Sequence, residues 1–427
     1  MKFEKPLAVI GAAALMFMAT DAVTYAATGS SLVLGRLNQA NATTTIQNTG
    51  STPALKLVTK SSATAPLVVN GKGKVTNLYA DRAATADNAR KLGGRTPGQV
   101  VAAATGAQYG RELVLTNRVD TAGLVGDHSS ITIGADALPI ISYNDATNGD
   151  LKVAHCANLT CISVSNATAI DTVGGVGYYT SITIGADALP IISYLDATNN
   201  DLKVAHCANL LCTSVSNATA IDTVGFVGYY TSITIGADSL PIISYIDGTN
   251  GNLKAAHCNN VACTTATTAA IDTAGDVGYF TSITIGADGL PIISYQDSGN
   301  GDLKVARCTN AACTAATTTT VDTLGSVGGY TSITVGADGL AIISYTDFTN
   351  RDLKVARCNN VACTTATTTA IDTVGDVGYY TSIAIGADAL PIVSYYDSAN
   401  RYLKVARCTN TACTAATKSV IDFAGSA

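Results

Sequence analysis

The twelve cysteines carry the most pointed chemistry of this sequence. They stand in six C-x-x-x-x-C pairs: Cys156/Cys161, Cys207/Cys212, Cys258/Cys263, Cys308/Cys313, Cys358/Cys363 and Cys408/Cys413. The first cysteines are spaced by 51, 51, 50, 50 and 50 residues. Such a pair can ligate zinc or form a disulfide. His155, His206 and His257 directly precede a cysteine, which favours the metal. Structural zinc draws on several protein ligands, however, and the last three copies put Arg307, Arg357 and Arg407 in that place. The spacing places one cysteine where a third strand ends and the other where a fourth begins. A short connection between antiparallel strands brings two Cβ atoms within disulfide reach, and the count of cysteines is even. The residues therefore point to six disulfides, one per copy, with the three histidines on exposed strand positions.

A second constellation recurs with the same period: Tyr143, Asp145 and Asn148; Tyr194, Asp196 and Asn199; Tyr245, Asp247 and Asn250; Tyr295, Asp297 and Asn300; Tyr345, Asp347 and Asn350; Tyr395, Asp397 and Asn400. A flat Tyr face beside Asp and Asn suits the hydroxyls of a sugar, so these residues are candidates for a ring of glycan-binding sites. The structural account competes with it. Asp and Asn cap turns through nearby backbone, and Tyr packs between sheets with its hydroxyl wet. Calcium is a third account, since Asp145, Asn148 and Asp150 gather oxygens in D-x-x-N-x-D. Calcium wants about six to eight oxygens, and the third position becomes Asn252 and Tyr402 in other copies. No cofactor is expected. The residue between Tyr and Asp differs in every copy (Asn144, Leu195, Ile246, Gln296, Thr346, Tyr396), so any specificity is expected there.

Catalysis needs one asymmetric constellation, and the repeats supply nearly identical surroundings instead. His128, beside Asp127, is the unusual titratable group, because later copies have an aromatic there. A propeller enzyme, such as a glycosidase or lyase, is the least favoured reading. The net charge of −6 argues against nucleic acid and anionic membranes as partners.

The elements that must hold these residues are strands. In the copy from Val227 to Asp276, Tyr230–Ile235 alternates apolar and polar residues, as a strand does. Leu240–Tyr245 is an apolar run fit for burial on both faces. Leu253–Cys258, with Lys254 interrupting its apolar face, follows the Asn250-Gly251 turn. Thr264–Asp272 reads as an exposed outer strand. Four short strands in about fifty residues is the period of a propeller blade, and one such sheet cannot hide both faces alone. The chain is expected to be all-β: a six-bladed β-propeller over 106–427, with blades near 126–175, 177–226, 227–276, 277–326, 327–376 and 377–427. Val119-Asp120-Thr121 is a seventh copy of the fourth strand's end. Glu112–Val119 would then add an outer strand to the last blade or lead into the first.

Before the repeats, Lys2 and Lys5 precede an apolar run, Leu7–Ala19, and small residues suit cleavage after Ala26. This reads as a signal peptide, 1–26, too short to span a bilayer. The mature chain is expected to be secreted, with no membrane span. Residues 27–105 read as a β-rich N-terminal region ending in a Gly/Pro linker.

Three stretches of that region, ATGSSLVLGRLNQA, APLVVNGKGKVTNLYADR and ATADNARKLGG, resemble the N-terminal region of secreted actinobacterial proteins of unassigned role. The last two also resemble trimeric fibre and tail proteins, which implies a stalk and a homo-oligomer. The motif ISYxDxxNxDLKVAxC is similar to repeats of bacterial extracellular propellers, a likeness that carries no function. The reading closes on an extracellular, non-enzymatic binding or adhesion protein, with polysaccharide or cell-surface glycan as partner. Its alternative is a structural surface protein assembled by the N-terminal region.

Overall fold

A computed structural model describes residues 118–423. The signal peptide, the N-terminal region and most of the segment 112–119 lie outside the described residues. Among the described residues, twenty-four strands form six antiparallel sheets, each of four consecutive strands. They make a six-bladed β-propeller.

Blade three shows why the sequence folds this way. It comprises β9 (Val227–Ile235), β10 (Pro241–Asp247), β11 (Asn252–Cys258) and β12 (Ala266–Asp272). Every residue of β10 is buried, as its unbroken apolar run requires, while β12 is largely half-buried or exposed. The inner strand starts three residues earlier than the alternation suggests. A bulge interrupts its pairing with β10, and Tyr230 sits in it at φ 52°. The outer strand starts two residues later than expected, because Thr264 belongs to the cysteine turn.

All six cysteine pairs are disulfides: Cys156–Cys161, Cys207–Cys212, Cys258–Cys263, Cys308–Cys313, Cys358–Cys363 and Cys408–Cys413, with Cα atoms 4.8–5.0 Å apart. The placement of the second cysteine needs correction. Cys156, Cys207, Cys258, Cys308, Cys358 and Cys408 do end a third strand, but Cys161, Cys212, Cys263, Cys313, Cys363 and Cys413 do not open a fourth. They stand in the turn before it, at φ 48–53°. Each second cysteine donates its N–H to an asparagine carbonyl three residues back, as Cys263 does to Asn260 at 3.0 Å. The turn thus folds the second cysteine back onto the first. Every cysteine except the half-buried Cys161 is fully or almost fully buried.

Blades bury their faces against one another. Ile242 and Leu253 of blade three pack with Val277, Ile283, Ile293 and Tyr295 of blade four. Burying one such side chain contributes about 1.5–3 kcal/mol. The inner strands are also tied, since Ile283 of β13 (Val277–Ile285) donates its N–H to Ser232 Oγ at 3.2 Å. Gly278, at φ 92°, lets the next blade close in: a Cβ there would lie 2.9 Å from Leu253 Cα. The inner strands β1 (Val125–Ile133), β5 (Val176–Ile184), β9, β13, β17 (Val327–Val335) and β21 (Val377–Ile385) repeat this contact at five junctions.

Among the described residues, the sixth junction, from blade six to blade one, lacks it. Ile131 is 62 % exposed, where its five equivalents are at most 7 % exposed. Two glycine substitutions separate the conformational cost from the contact. Gly278→Ala and Gly126→Ala both place Ala at a strongly positive φ, which costs about 1–3 kcal/mol. Only Gly278→Ala also meets backbone, so it is expected to be less stable than Gly126→Ala by about 1–3 kcal/mol in urea melts. Equal losses would show that the junction does not press on Gly278.

Candidate binding site

Of the Tyr–Asp–Asn candidates only the asparagines are exposed; the tyrosines and aspartates are buried. Tyr194, Tyr245, Tyr295, Tyr345 and Tyr395 are almost completely buried, and Tyr143 nearly so. Their hydroxyls are not wet. Tyr245 donates to Asp222 of the preceding blade at 2.6 Å, and Lys254 reaches the same carboxylate oxygen at 2.5 Å with its ammonium 5.6 Å from the Tyr245 ring centre. The same pin joins Tyr143 and Lys152 to Asp120, Tyr194 and Lys203 to Asp171, Tyr295 and Lys304 to Asp272, Tyr345 and Lys354 to Asp322, and Tyr395 and Lys404 to Asp372. Burial first, and the facing carboxylate second, push the Tyr245 hydroxyl far above its ordinary range, so it stays protonated and donates to Asp222.

The Asp and Asn members cap their own turns. Asp247 accepts from the backbone N–H groups of Thr249 and Asn250 at 3.1 Å, and from Asn250 Nδ2 at 2.9 Å. Asp145, Asp196, Asp297, Asp347 and Asp397 likewise accept from the backbone N–H and Nδ2 of Asn148, Asn199, Asn300, Asn350 and Asn400. In the calcium-like trio, Asp145 therefore gives both oxygens to the turn. Burial and the charge of Asp145 push Asp150 above the usual carboxylate range. Among the described residues, no group of three or more His, Cys, Asp or Glu side chains is arranged to hold a metal ion.

Two further expectations need correction. The variable residue between Tyr and Asp fills the next junction: Asn144 Nδ2 donates to the Val176 carbonyl at 2.8 Å, and Gln296 Nε2 to the Val327 carbonyl at 2.9 Å. Leu195 and Ile246 are buried apolar residues at this position, and Tyr396, in the last copy, is half-buried. The histidines before the cysteines are buried rather than exposed. His206 Nε2 meets Asp187 at 2.9 Å and His257 Nε2 meets Asp238 at 2.7 Å, while His155 faces Asp136 at 3.0 Å. Arg307, Arg357 and Arg407 meet Asp288, Asp338 and Asp388 in the same way. These pairs tie the first turn of a blade to its third strand.

The centre is open to a ligand. The bulges of the six inner strands carry His128, Tyr179, Tyr230, Phe280, Tyr330 and Tyr380 around one funnel of about 310 Å³. All six have φ between 50° and 52°, a region that bulky residues rarely adopt. Successive rings from His128 to Tyr380 stand 4.3–4.7 Å apart, centre to centre, and are tilted by 42–56°. Ser130, Ser181, Ser232, Ser282, Ser332 and Ser382 line the same funnel. The first five accept an N–H from the neighbouring inner strand and keep their own hydroxyl proton to donate.

The fold has relatives in form alone. No family model matches the sequence, and no curated protein is similar to it. Among solved structures, an α-L-arabinofuranosidase, Arb93A of Fusarium graminearum, is similar with a TM-score of 0.47 at 10 % identity, over 68 % of this chain and 91 % of that one. The NanB sialidase of Streptococcus pneumoniae gives 0.47 at 10 % identity, over 68 % of each chain. The hydrazine synthase of Kuenenia stuttgartiensis gives 0.46 at 10 %, over 70 % of this chain and 80 % of that one.

The electrostatics of the collar are neutral. Partial desolvation in the funnel, ahead of the pull of Asp127, holds the His128 imidazole below its usual range. Burial also pushes the Tyr179, Tyr230 and Tyr330 hydroxyls up, which keeps them protonated. Hydroxyl donors beside aromatic faces can hold an uncharged ligand with hydroxyls on one side and C–H groups on the other. The signal for this collar was in the sequence. An aromatic residue recurs at this place in copies two to six, within a Tyr pair in three of them, as in Tyr178-Tyr179, and is replaced by His128 in the first.

Proposed function

We propose that this is an extracellular binding protein that takes a neutral, polyhydroxylated ligand, the end of a glycan chain, into the central funnel. The observation that carries this reading is the collar itself: six bulky residues held at a left-handed backbone so that their rings surround one opening. Each such residue costs about 1–3 kcal/mol, and strain of this kind gathers at ligand sites. The disulfides support an oxidising compartment. Among the described residues no helix is long and apolar enough to cross a membrane. The repeats thus build a scaffold, and one axial site does the binding.

The test is a glycan array with the full exported chain, followed by titration of the best ligand. Tyr230→Gly is expected to weaken binding about tenfold or more, because it opens the collar and removes a stacking face. Its melting temperature should hold, since glycine suits the left-handed backbone there. The reading fails if no polysaccharide is retained, or if Tyr230→Gly binds as the wild type does.

A further inference from the structure

We infer that the bare junction between blades six and one docks a second copy of this chain, head to tail, with Leu403 of one molecule seated at Gly126 of the next. At the five packed junctions a leucine of the preceding blade fills this place. A Cβ on Gly177, Gly228, Gly278, Gly328 or Gly378 would lie 2.8–2.9 Å from the Cα of Leu151, Leu202, Leu253, Leu303 or Leu353. Among the described residues, nothing lies within 4 Å of a Cβ on Gly126. Instead, a cavity of about 210 Å³ opens there, bounded by Val125, Gly126, Ile141 and Tyr143.

The matching leucine of the repeat is Leu403, in β23 (Tyr402–Cys408), and it is 45 % exposed where its five equivalents are fully buried. Ile392, from the neighbouring strand of the same blade, is exposed as well. The tie between inner strands is also missing. Across the first packed junction, Ile182 donates its N–H to Ser130 Oγ at 3.2 Å, and the next four junctions repeat the bond. Among the described residues, Ile131 makes no such bond to Ser382.

The two bare surfaces are the two halves of the interface that repeats five times inside the molecule, so each is the complement of the other. Among the described residues of one molecule they stay exposed, and each head-to-tail contact covers the blade-six face of one copy with the blade-one face of the next. Such a contact is heterologous and runs on into larger assemblies unless it closes. It is apolar and lacks the carboxylate pin. Asp422, which occupies the register of Asp171 and Asp372, is exposed, and the Tyr143–Lys152 pocket it would enter is held by Asp120.

The test is sedimentation of the full chain over a range of concentrations. The wild type is expected to form dimers and larger species as concentration rises. Leu403→Asp and Ile131→Asp lie on exposed positions and should fold, which circular dichroism checks. Each should weaken association about tenfold or more by placing a charge in an apolar contact. Mixed one to one, the two variants should form a heterodimer that grows no further, because each keeps one intact face. A wild type that is monomeric throughout overturns the inference. So does association that neither variant changes, which would place assembly elsewhere in the chain.

Discussion

Complete reduction of the six disulfides is expected to lower the melting temperature by about 20 °C. Each bridge closes a short loop, and the chain-entropy relation gives about 2 kcal/mol for one. The six lie in separate blades, each with a Cα separation of 4.8–5.0 Å, so their contributions should add nearly independently. The sum, about 12 kcal/mol, is comparable to the whole stability of an ordinary domain. For a domain of this size, about 1 kcal/mol corresponds to about 2 °C. All but Cys161 are almost fully buried, so reduction at room temperature should be slow without denaturant. The measurement is a thermal melt of the oxidised chain against one reduced in urea, alkylated and refolded. A single pair, Cys258→Ala with Cys263→Ala, should lose about 2 kcal/mol. An unchanged melt in a sample with all its thiols alkylated would show that blade packing alone holds the fold.

The fold was legible because it repeats. The cysteine spacing set the period, the apolar run Leu240–Tyr245 marked the buried strand, and the Thr-rich stretch before Asp272 marked the outer one. Strand ends were less legible, for a physical reason. Tyr230 lies at a left-handed backbone inside a bulge, and Cys263 at another inside its turn. No alternation of residue types reveals either.

The site was harder to read because Tyr, Asp and Asn serve a sugar and a junction equally well. Only the partner separates the two uses. The pin Asp222–Tyr245–Lys254 joins residues 23 and 32 positions apart, on different blades. The same separations recur in every copy, so constant spacing of Asp, Tyr and Lys was the signal available. Lys254 interrupts an apolar face because its carboxylate comes from the neighbouring repeat. His206 and His257 lie buried for a related reason, since their Asp partners stand elsewhere in the same blade.

Replacing Asp272 by Ala should cost about 3–5 kcal/mol, the usual result of leaving one buried charge without its partner. Asp272 accepts from Tyr295 at 2.6 Å and from Lys304 at 2.5 Å, and all three are buried. Burial alone would raise the carboxyl, but the hydrogen bonds from Lys304, Tyr295 and the Ala274 backbone outweigh it and hold it below the usual range. Asp171, Asp322 and Asp372 are held low by the same balance, and Asp120 is brought to about 2. A carboxylate whose folded value is depressed stabilises the fold fully above its unfolded value of about 4. That contribution is lost as pH falls through the folded value, so acid unfolding should fall between about pH 4 and pH 2. The pin adds specificity more than net energy if Asp272→Ala with Lys304→Met recovers most of the loss in urea melts, since no charge is then left unpaired. A loss below about 1 kcal/mol for Asp272→Ala alone would mean that water reaches Lys304 and that the junction is held by its apolar contacts.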